Sequence, residues 1–229
     1  MRDIYTVYGC GGFAREVMPL LRNHVNKLDP NTKEFYFIDD LENRQAFVND
    51  TKVLSFENLL NDFSKSKIHC CITIADKNTR IKLTQKCIDN GISIISVISK
   101  NSVIMDDVNI GEGSVISPFV TITSNVLIGK SFQANIYSYV AHDCIIGDFV
   151  TFAPGVMCNG NVHIGSGVYI GTGTIIHPGT SKNPIVIGKN SKVAAGSVVK
   201  KNIPENAIAM GNPAQVLSRE LLKKMKKNG

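Results

Sequence analysis

An apolar residue recurs at every sixth position through much of the second half of the chain. The series runs fourteen times without interruption, from Ile98 to Ile176. In most repeats a small or branched side chain follows four residues later. This period fits neither the helical repeat of about 3.6 residues nor the simple alternation of a long strand. It is typical of hexapeptide repeats, in which short parallel strands coil around a common axis as a β-helix.

The repeat breaks once, and the break predicts a loop on the outside of the β-helix. Three hexads make one triangular coil, so the fourteen hexads predict nearly five coils, and the whole β-helix is predicted over residues 98 to about 204. Ile176 and Ile187 are eleven residues apart, and the hexads resume from Ile187. The segment between them, His177–Pro184, is expected to leave the coil, as insertions in solenoids commonly do on the binding face.

Residues 1–97 have a different pattern, which predicts a small α/β domain. A strand over Ile4–Tyr8 is followed by a helix from about Phe13 to Val25 and a strand over Phe35–Ile38. Strands that alternate with helices indicate a parallel sheet of Rossmann-like type. The further predicted elements are a strand at Val53–Leu54, a helix near Phe56–Phe63, a strand at Ile68–Ile74, a helix near Thr79–Asn90 and a strand at Ile92–Val97. At the other end of the chain, Ala214–Lys227 predicts a final helix.

Composition argues against several classes of protein. The net charge of +6 is concentrated in lysines at the C-terminus, and no basic patch interleaved with aromatic residues suggests nucleic-acid binding. The six cysteines show no metal-binding spacing and no C-x-x-C pair. The first strand leaves no room for a signal peptide, and no apolar stretch is long enough to cross a membrane. We therefore expect a reduced, cytoplasmic protein that binds neither nucleic acid nor membrane.

A glycine-rich turn in the first domain suggests a phosphate site. Gly9, Gly11 and Ala14 follow a strand and open a helix in a G-x-G-x-x-A pattern. Such a turn brings a phosphate close to the free N–H groups of a helix N-terminus. Asp39 and Asp40 end the second strand and are placed to bond a ribose or sugar hydroxyl. A plain glycine turn beside two loop acids would explain the same residues, and the strand–turn–helix context favours nucleotide binding.

His142 is the histidine that the repeat marks out. It is the third residue of the hexad that begins at Val140, a position that points outward. One coil earlier the same position is Ser124, and one coil later it is Gly160, so the imidazole would lie in a notch. Asp143 follows directly and could orient the ring and increase its basicity. A solvated surface histidine is the alternative explanation.

These elements together resemble a known family. A hexapeptide-repeat β-helix closed by the turn Gly211–Ala214 is similar to the bacterial acetyl-CoA-dependent acyltransferases, whose coils are left-handed. The added α/β domain narrows the resemblance to sialic acid O-acetyltransferases and N-acetyltransferases of nucleotide-linked 4-amino-6-deoxyhexoses. The resemblance covers nearly the whole chain, and Ala141–Gly147 is its most specific part. It implies a Rossmann-like α/β domain over residues 1–97 that binds a nucleotide sugar, and a left-handed parallel β-helix over residues 98–229 that binds acetyl-CoA.

The resemblance also implies roles for individual residues. His142 would be the general base, and Asp143, where the family more often has Glu, would make it more basic. Acetyl-CoA would lie between neighbouring subunits of a homotrimer, without a metal. Phe13 and Thr151 stand where bacillosamine-type enzymes have histidines. Contacts to coenzyme A are expected from Thr151, Gly160, Gly171, Thr172, Ala195, Gly211 and Pro213. Contacts to the nucleotide sugar are expected from Gly11, Gly12, Phe13, Asp39, Asp40 and Ala75.

The function predicted from these features is N-acetylation of the 4-amino group of a nucleotide-linked 4-amino-4,6-dideoxyhexose for a surface polysaccharide such as O-antigen or capsule. No nucleophilic serine or cysteine triad is evident, so direct transfer is expected. O-acetylation of sialic acid or a related sugar is the alternative, and it would not need the phosphate-binding turn. A non-catalytic scaffold or a metal site is a third possibility. Against a metal site, no two of His142, His163 and His177 are three hexads apart, so none of these pairs would stack.

Overall fold

A computed structural model describes residues 3–25 and 33–218. Its contacts divide the chain into two compact units. The first contains the residues up to 100 together with 112–116, and the second contains 101–111 and the residues from 117 onward. The first unit is α/β, and the second is a stack of short, mostly parallel strands.

The first unit contains a six-stranded sheet and three helices. The strand order is β3-β4-β2-β1-β5-β6, and β3 is the antiparallel member. The strands expected along this unit are confirmed, except that β3 was not predicted and Val97 belongs to a separate strand. The elements are β1 Asp3–Tyr8, α1 Gly12–Val25, β2 Lys33–Ile38, β3 Phe47–Val48, β4 Thr51–Leu54, α2 Phe56–Asp62, β5 Lys67–Ile72, α3 Lys77–Asp89 and β6 Ser93–Ile94.

Strand β1 is buried on both sides, which explains its almost uninterrupted run of apolar residues. Tyr5 and Val7 pack in one core cluster with the apolar face of α1. Ile4 and Tyr8 point to the opposite face of the sheet and pack in a second cluster with residues of α2 and α3. Burial on both faces is typical of strands in a parallel sheet. Because β1, β2 and β5 are parallel neighbours, their carboxyl ends meet at one edge of the sheet.

The remaining strands are two or three residues long and are those of the β-helix. Strands β7 and β10 belong to the first unit and pair with each other. The strands are β7 Val97–Ile98, β8 Val103–Ile104, β9 Val108–Ile110, β10 Val115–Ile116, β11 Thr121–Ile122, β12 Val126–Ile128, β13 Gln133–Ala134, β14 Tyr139–Val140, β15 Ile145–Ile146, β16 Thr151–Phe152, β17 Met157–Cys158, β18 Val162–Ile164, β19 Tyr169–Ile170, β20 Ile175–Ile176, β21 Ile185–Ile187, β22 Lys192–Val193, β23 Val198–Val199, β24 Ile208–Met210 and β25 Gln215–Val216.

In the second unit these strands form three faces. The first face contains β13, β16, β19, β22, β24 and β25, and β25 is antiparallel to β24. The second contains β8, β11, β14, β17, β20 and β23, and the third contains β9, β12, β15, β18 and β21. From β8 to β20 neighbouring strands pair at a spacing of three hexads, as Thr121 does with Tyr139 and Tyr139 with Met157. The spacing is longer only across the break in the repeat and shorter between β22 and β24, where Val193 pairs with Ala209. The predicted coil length is therefore confirmed.

The six-residue series fills the interior of the β-helix. From Ile122 to Ile176 every member of the series is at most 5% exposed. The exceptions in this unit are Ile110, which is partly exposed, and Ile104, with 39% of its surface exposed. Ile110 lies in β9, the terminal strand of the third face. The exposure of Ile104 has the same cause, because it lies in β8, the terminal strand of the second face, and no earlier strand of that face covers it. The period thus identifies the core except at the open end of the stack.

The chain turns between the faces at three corners, and each corner contains residues in the left-handed conformation. The histidine corner, between the second and third faces, consists of residues 105–107, 123–125, 141–143, 159–161, 177–184 and 200–202. The glycine corner, between the first and second faces, consists of residues 135–137, 153–155, 171–173, 194–196 and 211. The third corner consists of residues 129–131, 147–149, 165–167, 188–190 and 204–206.

The last described residues differ from the prediction. Gln215–Val216 forms β25, so a helix that begins at Ala214 is wrong for this stretch. Residues 219–227 of the predicted helix lie outside the described residues. Among the helices that the structure describes, none is long and apolar enough to cross a membrane.

Candidate active site

His142 and Asp143 form a close pair at the histidine corner. The imidazole Nδ1 lies 2.7 Å from Oδ2 of Asp143, and the two side chains are 60% and 48% exposed. His142 therefore points outward, as the hexad position predicts. Such an exposed pair stabilises a fold by only about 0.2–1 kcal/mol. Its main effect is on orientation: when Nδ1–H donates a hydrogen bond to Asp143, Nε2 is left with a free lone pair.

Gly160 lies against the imidazole from the next coil. A Cβ atom at residue 160 would be 2.5 Å from Cε1 of His142 and 2.6 Å from Nε2. The backbone on either side of this contact is also fixed, because Asn161 donates its N–H to the carbonyl of His142. Glycine is therefore required at residue 160 for the ring to take this position. The predicted notch beside His142 is present on its Gly160 side.

The backbone of Asp143 explains why the pair uses an aspartate. Its φ is 58°, in the left-handed region, and the equivalent corner positions in the coils before and after it have the same conformation. Asn and Asp tolerate this conformation better than other residues with a side chain. The shorter carboxylate still reaches Nδ1, so the departure from Glu does not lengthen the contact. The matching positions are Asp107, Asn125 and Asn161.

Asn125 is a further neighbour of the His142–Asp143 pair and was not predicted from the sequence. Its Nδ2 lies 3.5 Å from Oδ1 of Asp143, the carboxylate oxygen that does not face His142. The two residues are one coil apart, so the spacing of three hexads could have identified the contact. Asn125 and His142 thus approach different oxygens of one carboxylate.

Tyr139 and Asn159 fix the segment that carries Gly160. The Tyr139 hydroxyl donates to Oδ1 of Asn159 over 2.9 Å, and Nδ2 of Asn159 donates to the carbonyl of Ile176 over 2.7 Å. Asn159 directly precedes Gly160 and is held by neighbours in the coils before and after it. Nothing in the sequence alone indicates this contact, because it joins neighbouring coils at positions that are not equivalent in the repeat.

The break in the repeat forms a loop at the same corner. Gly179 donates its N–H to the carbonyl of Gly160 over 3.0 Å, so the loop continues the stack from His142. Thr180 and Asn183 exchange backbone hydrogen bonds of 3.0 and 3.1 Å, which closes the loop into a tight turn. The expectation of a loop that leaves the coil is confirmed, and its exposed tip includes Lys182.

The structure separates the residues expected to contact coenzyme A. Gly160 is at the histidine corner, whereas Thr172 and Ala195 are exposed at the glycine corner. Gly171 is buried beside Ala195, where a Cβ would collide with the backbone nitrogen. Thr151, in β16, is only 4% exposed, so little of its side chain is available to a ligand. Gly211 and Pro213 are exposed in the turn between β24 and β25; the carbonyl of Gly211 accepts from the N–H of Val198.

A second group of candidate residues lies at the edge of the sheet in the first unit. Gly9 has a φ of 103° and donates its N–H to Ile38 at the end of β2. Gly11 and Gly12 are exposed, and nothing lies within 4 Å of a Cβ added to either of them. Phe13 is partly buried against the cluster under α1. Ala75, after β5, is exposed at the same edge.

The two acids at this edge have different surroundings. Oδ2 of Asp39 accepts a hydrogen bond from the thiol of Cys10, and Oδ1 accepts one from the N–H of Leu41. Burial and the hydrogen bond to Asp39 raise the pKa of the Cys10 thiol to about 11, so the thiol remains a donor. The sequence reading missed this contact, although Cys10 lies within the glycine-rich turn.

Asp40 is held by three donors from its own domain. Oδ2 accepts from the Tyr8 hydroxyl over 2.6 Å and from Lys86 over 2.8 Å, and Oδ1 accepts the N–H of Phe56 over 2.8 Å. Burial would raise the pKa of Asp40, but these hydrogen bonds outweigh it and hold the pKa below its ordinary value. The carboxylate ties β1, α2 and α3 together, which is a structural role beside the predicted ligand contact.

No metal centre is apparent in the part of the chain that the structure describes, since nowhere in residues 3–25 and 33–218 do three His, Cys, Asp or Glu side chains converge. The buried thiols are not exposed nucleophiles either. Cys144, next to Asp143, is 0% exposed, and its thiol donates to the carbonyl of Asn159 over 3.2 Å. It faces the interior of the β-helix, as its place in the repeat predicts.

Comparisons with known proteins agree with both halves of this architecture. Residues 6–87 match the family model of the PglD N-terminal domain. GDP-perosamine N-acetyltransferase of Escherichia coli O157:H7 is 39% identical over 189 residues, which are 81% of this chain and 83% of that protein.

Two solved structures share the fold over nearly the whole chain. WeeI from Acinetobacter baumannii AYE is 46% identical with a TM-score of 0.88, over 94% of this chain and all of that one. PerB from Caulobacter crescentus, solved in complex with CoA and GDP-perosamine, is 27% identical with a TM-score of 0.78, over 93% of this chain and 97% of that one. The chain therefore belongs to the family of hexapeptide-repeat sugar acetyltransferases, enzymes that use acetyl-CoA as the acyl donor.

Proposed function

We propose that this enzyme transfers the acetyl group of acetyl-CoA to the 4-amino group of a nucleotide-linked 4-amino-4,6-dideoxyhexose, and that GDP-perosamine is the first acceptor to test. The relative of 39% identity, named for that acceptor, carries the proposal. The complex of PerB with CoA and GDP-perosamine supports it. The acetylated sugar would serve the synthesis of a surface polysaccharide.

His142 is the proposed general base. Nδ1–H donates a hydrogen bond to Asp143 in the proposed tautomer, so Nε2 is free to take a proton from the attacking amine. The amine nitrogen bonds to the thioester carbon, and the C–S bond breaks as the tetrahedral intermediate collapses. The imidazolium gives the proton to the leaving sulfur, so coenzyme A departs as a thiol and His142 is again neutral. General-base catalysis of this kind contributes roughly 10²- to 10⁴-fold to a rate. The rest of the rate acceleration would come from holding both substrates in one site.

The proposed acceptor site is the edge of the sheet in the first unit. Gly11 and Gly12 have open space beside them at the start of α1, which suits a phosphate group. Asp39 is the better candidate for a sugar or base contact, because Asp40 is already bonded to three donors within the domain. Phe13 and Ala75 would line the remainder of this site.

A homotrimer with active sites between subunits is proposed on two observations. The residues expected to contact coenzyme A lie at two different corners, so a site that uses both needs a neighbouring subunit. The second and third faces, which meet at the histidine corner, also present apolar side chains outward. Their exposed fractions are 54% for Leu127, 45% for Ile145, 41% for Met157 and 39% for Val186. Such a ladder is typical of a covered surface. Size-exclusion chromatography with light scattering would measure the assembly.

A cytoplasmic location is also proposed, supported by the cysteines. All six are free thiols, five of them buried, which is typical of proteins from a reducing compartment.

The decisive experiment is a thiol-release assay with acetyl-CoA. The acceptors would be GDP-perosamine, UDP- and dTDP-linked 4-amino sugars and free sialic acid, each with the wild type, His142→Ala and the control His24→Ala. We expect turnover of a nucleotide 4-amino sugar that only His142→Ala loses, roughly 10²-fold or more. Turnover of sialic acid alone would overturn the acceptor, and near-normal kcat of His142→Ala would overturn the general base.

A further inference from the structure

The charges at the histidine corner are sorted along the stack of coils. At its start, Asp106 and Asp107 are both exposed. Beyond His142 the corner carries the exposed lysines Lys182, Lys200 and Lys201. The corner therefore changes from acidic to basic across His142.

Among the described residues, no carboxylate lies at this corner beyond Asp143. Between residues 144 and 218 the sequence contains two acids, Asp148 and Glu205. Both lie at the third corner, where Lys130 and Lys189 accompany them. The third corner carries both signs of charge, as an ordinary solvated surface does, whereas Lys182, Lys200 and Lys201 have no acidic residue beside them at the histidine corner of their own coils.

The register of the strands places Lys200 and Lys201 on the line of His142. They follow β23 directly, as Ala141 and His142 follow β14, and both strands belong to the second face. Three coils separate Lys201 from His142. At about 4.8 Å per coil, the separation along the stack is roughly 14 Å.

We propose that Lys200 and Lys201, with Lys182 of the loop, bind the phosphate groups of coenzyme A. The inference rests on the proposed function, because it takes His142 as the place of acetyl transfer. In acetyl-CoA the pantetheine arm separates the thioester from the pyrophosphate and the 3′-phosphate. With the thioester at His142 and the arm along the coils, the phosphates reach the basic end of the corner.

The opposite direction is disfavoured by the same charges. An arm that ran toward Asp106 and Asp107 would bring phosphates to carboxylates, whereas the lysines offer charge-assisted hydrogen bonds. The basic end would also attract the donor before it docks, since such attraction raises association rates at low salt. The charge gradient thus favours the direction in which the phosphates of acetyl-CoA lie beyond His142.

The experiment compares donors with and without phosphates. The double variant Lys200→Gln/Lys201→Gln is assayed with acetyl-CoA and with S-acetyl-N-acetylcysteamine, which carries the thioester but no phosphate, using GDP-perosamine as acceptor. We expect the KM for acetyl-CoA to rise roughly tenfold, the KM for the truncated donor to stay unchanged, and kcat to stay near normal. Adding Lys182→Gln to the double variant should raise the KM for acetyl-CoA further.

The matched control is Lys130→Gln/Lys189→Gln, which removes the same charge from the third corner. If this variant raises the KM for acetyl-CoA as much as the first one does, the effect is one of net charge and the proposal is wrong. An unchanged KM for acetyl-CoA in the Lys200/Lys201 variant, or an equal rise for both donors, would also overturn it.

Direct binding distinguishes the two kinds of phosphate and does not depend on catalysis. Titration calorimetry with CoA and dephospho-CoA is carried out on the wild type and the Lys200/Lys201 variant. Weaker binding of CoA alone assigns the lysines to the 3′-phosphate, and weaker binding of both ligands assigns them to the pyrophosphate. Either outcome supports the proposal, even if His142→Ala shows that the general base is elsewhere, and an unchanged affinity for both contradicts it.

Discussion

The imidazole of His142 lies against the backbone of Gly160 so closely that a methyl group at residue 160 would be 2.5 Å from the ring carbon Cε1. Asp143 holds the ring at Nδ1 over 2.7 Å. The carboxylate of Asp143 lies in the same coil as the ring, and the backbone of Gly160 lies in the next coil. Together they determine where Nε2 points.

Gly160→Ala should therefore impair the reaction more than the fold. The imidazole is exposed and can swing away from the new methyl group, so we expect the melting temperature to change little. The displaced Nε2 would lower kcat by roughly 10- to 100-fold, because small displacements of a reacting group are costly. Thermal unfolding and steady-state kinetics measure the two effects.

A double variant separates this effect from general damage. In a His142→Ala background, adding Gly160→Ala should cause no further loss of kcat, since no ring remains to be displaced. A second loss of similar size would show that residue 160 acts by another route.

Asp143→Asn tests the charge of the pair while it keeps the shape and the left-handed backbone. We expect kcat to fall about tenfold or more, since a neutral amide supports the developing imidazolium poorly. The melting temperature should hardly move, because such an exposed pair contributes only about 0.2–1 kcal/mol. Asp107→Asn, at the equivalent corner position two coils earlier, is the control that should leave kcat unchanged.

Tyr139→Phe tests the support of Gly160 through Asn159. Removal of the hydroxyl takes away the 2.9 Å hydrogen bond to Asn159. We expect kcat to fall about fivefold, the equivalent of about 1 kcal/mol, with both KM values unchanged. Tyr169→Phe removes a hydroxyl from another outward position of the β-helix and is the control. A lower melting temperature with normal kcat in this variant would show that Tyr139 has only a structural role.

Asp40→Asn should destabilise the protein at neutral pH and not at acidic pH. The folded state holds the pKa of Asp40 below its ordinary value, which is about 3.9 in an unfolded chain. A depressed pKa stabilises the fold fully above the unfolded value, and this stabilisation is lost as the pH falls through the folded value. Since the side chain is 42% exposed, we expect a difference of only about 1 kcal/mol.

Denaturant unfolding between pH 7 and pH 3 measures the effect of Asp40→Asn. The difference from the wild type should be constant above about pH 5 and should shrink toward pH 3. Asp62→Asn, in the exposed end of α2, should show no such trend. A difference independent of pH would mean that lost packing, rather than the charge, destabilises the variant.

The repeat made the second unit predictable in detail, because the sequence period corresponds directly to the length of one coil. A position in the hexad determines whether a residue points inward, and counting forward by three hexads finds the neighbour in the next coil. The outward direction of His142, the glycine beside it and the corner of the loop all follow from this rule. The rule did not identify Ile104 as exposed, since periodicity carries no information about which coil forms an end of the stack.

The contacts outside this rule could not be predicted from the sequence. Tyr139 meets Asn159 across coils at a spacing of 20 residues, and Cys10 meets Asp39 between separate strands of the sheet. Asp39 and Asp40 are equivalent as adjacent acids in a sequence, and only the fold gives them different partners. The strand Gln215–Val216 was mistaken for the start of a helix because its pairing with β24 overrides the local preference of the segment.

The loop at the histidine corner has a consequence for how the enzyme can diversify. The coil that contains it is five residues longer than the coils before it, yet Val162 pairs with Ile185 and Ile164 with Ile187 in the same parallel register. Length and composition at that corner are thereby uncoupled from the packing of the interior. Insertions or deletions in this loop can therefore change the surroundings of His142 while the strands of the β-helix keep their pairing.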